Sequence, residues 1–185
     1  MTMKLEEMTP ADGTGRVVRR DDVVPITWGG EEASRVLLRS EDTGGLYSFY
    51  EVTVPPGGGS LFHVHEDTDE SFYVIEGEFE IKLGTDVLKA PAGVLVYGPR
   101  GVWHSFLNTW HEPSKMLCIM APGGIERFFS ELNELTSENP PPDWDRLQAL
   151  AARHRIAAVR PQGGDAQAGP PAGAADRPDH EQEKE

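Results

Sequence analysis

The segment SLFHVHEDTDESFYVIEG, residues 60–77, places His63 and His65 two positions apart and Glu70 five positions after the second. In a strand, residues i and i+2 leave the same face, so both imidazoles project together. A short acidic turn (Glu66, Asp67, Thr68, Asp69) follows, and an antiparallel return is expected to bring Glu70 beside the pair. Downstream, GVLVYGPRGVWHSFLN offers His104 in another strand after a Pro-x-Gly turn. Three neutral imidazoles and one carboxylate make a mixed nitrogen–oxygen donor set for a divalent first-row metal. Such a set leaves positions open for water, substrate or dioxygen, and its donor types do not choose among Fe, Mn, Co, Ni, Cu and Zn.

The other reactive side chains read as structural. His111 sits in a loop-like stretch, NTWHEPSK, and is expected at the surface, while His180 lies in the C-terminal tail. His154 falls on an apolar helical stripe and is explained by burial. Cys118, in SKMLCIMA, reads as a small buried hydrophobe. Glu66, Asp67 and Asp69 read as a solvated turn.

Strands must position the donors. Between Leu46 and Ala121, short β-branched and aromatic segments alternate with Gly/Pro turns: LYSFYEVTV, SFYVIEG, EFEIKLG, GVLVYGP, VWHSFLN and SKMLCIMA. Six or more strands at this spacing predict an all-β sandwich or barrel. The N-terminal segment 1–44 adds one or two strands within residues 17–40, and the barrel is expected over 45–121. Residues 122–160 read as C-terminal helices packed on it. Ile125, Phe128, Phe129, Leu132 and Leu135 share one helical face, and Trp144, Leu147, Leu150 and Ala151 repeat the pattern after Asp143 as N-cap. Residues 161–185 hold no Val, Ile, Leu or Phe and carry net charge −4, which predicts a disordered acidic tail.

The spacing of the donors extends into a longer pattern. Gly57, His63, His65, Glu70 and Gly77 are followed by Gly93, Pro99, Gly101, His104 and Asn108, with a fifteen-residue segment between the two groups. In order and spacing these ten positions resemble the two motifs of the cupin superfamily, over about residues 45–122. The resemblance implies a single double-stranded β-helix, or jelly-roll, barrel. It also implies that the family's metal ligands fall on His63, His65, Glu70 and His104. Among cupins, the stretches DESFYVIEGE and GGIERFF make the chain look most like small single-domain proteins related to quercetin 2,3-dioxygenase. That likeness implies a dioxygenase in which Glu70 serves as ligand and as catalytic proton acceptor.

The two-residue period also suggests what surrounds the donors. Leu61 shares a face with His63 and His65, Phe72 and Val74 follow Glu70, and Val102 and Phe106 flank His104. These five residues are the expected substrate pocket, an apolar cup with the metal at its base. From Leu46 to Trp110 the only cations are Lys82, Lys89 and Arg100, too few to favour a phosphorylated sugar. A small aromatic or enolic substrate fits better. A non-redox cyclase, isomerase or decarboxylase, and a non-catalytic binding module, are the competing readings.

Net charge −14 disfavours nucleic acid and anionic membrane surfaces as partners. A single cysteine fits a reducing compartment, and MTMKLEEMTPADG has no apolar run of the kind a signal peptide needs. A cytoplasmic protein is therefore expected. Apolar residues on both faces of SFYVI suggest a covered outer face, hence a homodimer.

Overall fold

The computed structural model describes residues 15–27, 33–136 and 143–160. Among the described residues, eleven strands form two antiparallel sheets. The first, six-stranded, contains β1 (Ile26–Thr27), β2 (Ala33–Leu38), β3 (Ser48–Val54), β5 (Asp69–Glu76), β8 (Leu95–Gly98) and β10 (Ser114–Ala121), in the order β1-β2-β3-β10-β5-β8. The second, five-stranded, contains β4 (His63–His65), β6 (Glu78–Leu83), β7 (Asp86–Pro91), β9 (His104–Asn108) and β11 (Ile156–Ala158), in the order β11-β4-β9-β6-β7. This is the jelly-roll, double-stranded β-helix arrangement, and the all-β expectation holds.

Alternation explains how the sheets close on one another. In β3 and β10 alternate residues point inward, so Tyr50, Val52 and Val54 meet Met116, Cys118 and Met120 in the core. Phe72, Val74, Phe79, Ile81 and Phe106 complete it from the other strands. The outer face of the six-stranded sheet carries Tyr73, Ile75, Leu95, Tyr97 and Ile119, all exposed.

Two of the motif residues owe their identity to packing. At Gly77 the backbone is left-handed (φ 76°), and a Cβ there would lie 2.0 Å from Ser114 Oγ. Asn108 is buried and uses both ends of its amide. Its Nδ2 donates to the carbonyls of Val54 and Glu112, and its Oδ1 accepts from Trp110 N and Ser114 Oγ.

Past β10, helix α1 (Ile125–Thr136) and helix α2 (Trp144–Arg153) fold back across the sheets. Glu126 anchors α1: its carboxylate accepts from Ser40 N and Oγ and from Ser48 Oγ. Asp143 caps α2, accepting from Arg146 N. The structure corrects the helical reading of 122–160 at its end. Arg155 adopts a left-handed φ of 56°, and the chain then runs as β11 beside β4, with Ile156 opposite His65 and Ala158 opposite His63. Three residues are too few to show a strand's alternation, so the pairing partner makes this strand. His154 lies at the end of α2 rather than within its buried stripe, with Nε2 3.0 Å from Glu131 Oε1. The expected tail, 161–185, lies outside the described residues. Among those described, no helix is long and apolar enough to cross a membrane.

Candidate metal centre

Three strands from both sheets bring His63, His65, Glu70 and His104 together. One ligand atom from each can be chosen so that all lie within 4.8 Å of one another. β4 pairs with β9 at His63 and His104, which sets those rings side by side with centroids 4.4 Å apart. β5 supplies Glu70 from the facing sheet. His63 Nε2 lies 3.2 Å from His65 Nε2, and Glu70 Oε2 lies 3.3 Å from His65 Nε2 and 3.0 Å from His104 Nε2.

The second nitrogens show that these rings are oriented for a cation. His63 Nδ1 faces the Leu61 carbonyl at 2.7 Å, and His104 Nδ1 faces the Val102 carbonyl at 2.9 Å. A carbonyl only accepts, so each Nδ1 carries the hydrogen and each Nε2 lone pair is turned toward the common centre. Ligating histidines are held in this way by backbone carbonyls. Burial, reinforced by the neighbouring His104 and His65 rings, holds the His63 imidazole well below the usual histidine range and so favours its neutral form. Burial pushes the Glu70 carboxyl up, but the His104 and His65 rings set against it outweigh that effect and leave the group well below the usual range. A neutral His63 imidazole and an ionised Glu70 carboxylate are forms a divalent ion requires, and the donor types of the four residues fit one.

Glu70 has a further partner. Tyr50, buried on β3, donates its hydroxyl to Glu70 Oε1 at 2.5 Å. Oε2 is thereby left to the histidines. Nothing in the spacing of the motifs marks Tyr50, because its position follows from register: Cys118 on β10 lies opposite Tyr50 on one side and Phe72 on the other.

The turns that carry the donors are tied by charge. Arg100, four residues before His104, donates from its backbone N, Nε and Nη2 to Asp69, beside Glu70. The Arg100 guanidinium holds the Asp69 carboxyl below its ordinary value. Arg155 pairs with Glu66 and Asp67. The acidic turn is therefore paired with two arginines rather than merely solvated. His111 is exposed against Trp110, and Cys118 is buried in the core, its thiol pushed up by that burial.

A cavity of about 450 Å³ opens above the donors. Of the five residues expected to line it, Leu61 and Phe106 do so and Phe72, Val74 and Val102 do not. Phe72 and Val74 are fully buried in the core beneath, with the Phe72 ring 5.7 Å from that of His104. Val102 belongs to the turn before β9 and contributes its carbonyl to His104. Alternation gives the inward face correctly, but the cavity occupies only one end of it. The opposite wall is built by the helices, through Phe128, Phe129, Leu132, Trp144, Leu147 and Ala151. Their helical period was visible in the sequence, yet it reads equally as ordinary packing on a core.

Comparisons with known proteins agree with this geometry. Residues 50–120 match the family model described as a cupin domain. Protein SchB of Streptomyces halstedii is 33% identical over 111 residues, which cover 58% of this chain and 78% of SchB. Quercetin 2,3-dioxygenase of Bacillus subtilis is 26% identical over 105 residues, covering 57% of this chain. That match spans only 31% of the Bacillus enzyme's own length. In fold, KdgF from Halomonas sp. superposes with a TM-score of 0.56 at 17% identity, over 62% of this chain and 99% of KdgF.

Proposed function

This chain belongs to the cupin superfamily, and from that premise we propose that it is a metal-dependent dioxygenase acting on a small aromatic or enolic substrate. The observation that carries the reading is a three-histidine, one-carboxylate group at the floor of an apolar, aromatic-walled cavity. The partial match to a quercetin 2,3-dioxygenase supports the same chemistry.

His63, His65, Glu70 and His104 would hold a divalent first-row metal. Bound there, such an ion supplies Lewis acidity toward a hydroxyl or enolate oxygen and, where redox-active, electron transfer with dioxygen. The remaining work falls to the chain. Among the described residues, Glu70 is the only carboxylate lining the cavity, so it is the group available to accept a proton from the substrate hydroxyl. Tyr50 fixes the carboxylate's orientation through Oε1. Among the described residues no lysine or arginine lines the cavity, which suits an uncharged ligand. Its apolar wall excludes water around the reacting oxygen.

Elemental analysis of the purified protein, followed by oxygen-electrode assays with flavonols under aerobic and anaerobic conditions, tests the proposal. Dioxygen uptake that depends on both metal and flavonol is expected. Turnover that persists without dioxygen would establish a non-redox enzyme instead. A ligand that co-purifies and is never converted would point to a binding module.

A further inference from the structure

We propose that α1 and α2 are the specificity element of this site. With Phe106, they form an aromatic slot for a flat, uncharged polycyclic phenol or enol whose polar head meets the histidine–glutamate group and whose remaining rings are bare. The inference rests on the reading of that group as the place where a substrate hydroxyl is held, and it adds what the rest of the substrate must be.

Among the described residues, the charged and metal-ligating side chains of the cavity lie at one end. The floor offers His63, His65, Glu70 and the Tyr50 hydroxyl, whereas the roof is mainly apolar, through Phe128, Leu132, Leu147 and Trp144, whose ring carries a single N–H. The Gln148 and Ser60 side chains elsewhere in the lining each spend one of their hydrogen-bonding groups within the protein. Gln148 Nε2 donates to the Ala158 carbonyl at 2.7 Å, and Ser60 Oγ accepts from Phe106 N at 3.2 Å. A hydroxyl on a distal ring would leave water and find few partners, which is costly. Bare aromatic rings meet no such cost and gain contact with aromatic walls.

The roof is also held in place, so the slot is preformed. Glu126 fastens the start of α1 to Ser40 and Ser48. β11 fastens the end of α2 to β4, the strand that carries His63 and His65. Between these anchors, Glu131 of α1 accepts from Arg153 of α2, and the Phe128 and His154 rings meet edge to face with centroids 5.6 Å apart. A wall tied at both ends keeps its half-buried apolar side chains over the cavity instead of collapsing onto the core, and preorganisation of this kind favours a rigid ligand. Both helices lie beyond residues 50–120, the part matched by the cupin model.

The test is an anaerobic calorimetric titration of the full chain, its metal content measured, with 3-hydroxyflavone and with quercetin. Both carry the same hydroxy-ketone head, but quercetin bears additional hydroxyls on its outer rings. Binding of 3-hydroxyflavone about tenfold tighter or more is expected, the scale at which an apolar pocket rejects added hydroxyls. Leu147→Gln should pull that ratio toward unity with metal content unchanged. General loosening of the fold would weaken both ligands alike. If Leu147→Gln does not fold, Phe128→Gln makes the same test from α1. Equal or tighter quercetin binding, no binding of either flavonol, or an unchanged ratio in folded variants would overturn the proposal. Dioxygen uptake on the same samples separates the two readings. A preference without uptake removes the dioxygenase assignment alone, and uptake without a preference removes the slot alone.

Discussion

Glu70 uses its two oxygens differently, and Tyr50 is the reason. With Oε1 accepting from the tyrosine hydroxyl at 2.5 Å, Oε2 is held toward His65 and His104. Tyr50→Phe removes the donor while keeping the ring that packs edge to face on Phe129. Removing a residue that orients a ligand typically weakens metal binding by about 10–100-fold. Metal affinity, measured by competition with a chelator, should therefore fall by about tenfold or more, with the circular dichroism spectrum unchanged. An unaltered affinity would reduce Tyr50 to a packing role. The four donors were legible in the sequence, because their types are rare and their spacing repeats a pattern. Tyr50 was not, since a tyrosine in LYSFYEVTV looks like any strand aromatic until the register of β3 against β10 sets it over Glu70.

Among the elements, α1 depends on a single buried carboxylate. Burial pushes the Glu126 carboxyl up, yet the hydrogen bonds from Ser40 and Ser48 outweigh it and hold the group below its ordinary value near 4.5. A lowered folded-state value means that the stabilisation is fully present above pH 4.5 and is lost as pH falls through the folded-state value. Glu126→Gln should lower the melting temperature at neutral pH, and the gap to wild type should narrow as the pH is taken below 4.5. A gap that stays constant down to acid pH would show that the carboxylate's charge contributes nothing. Strands with clear alternation, such as β3 and β10, could be read directly from their residues. β7 could not, because five of its six residues are exposed and little separates it from a polar loop. β11 was hidden for a different reason. It continues from a helix, and only the free edge of β4 gives it a partner.

Across the whole molecule, the all-β class was legible because alternating strands can bury only one face, but of the cavity only the Leu61 and Phe106 side was, and its helical wall was not. It forms where two amphipathic helices stand across one end of the sheets, and that distance is written in no local pattern. The same global geometry gives the metal group a structural consequence. His63, His65 and His104 belong to the five-stranded sheet and Glu70 to the six-stranded one, so an ion shared by all four ties the two sheets together. The unfolded chain holds no such preformed site, and binding therefore adds directly to folding stability, by about 2.7 kcal/mol when free metal stands a hundredfold above its dissociation constant. Chelation should lower the midpoint of denaturant unfolding while leaving the slope unchanged, because the surface exposed on unfolding is the same. His63→Ala should abolish the response to added metal. If chelation instead changes the slope, the sheets separate locally before the molecule unfolds, and the metal would then be a clasp on one end of the fold rather than a brace for all of it.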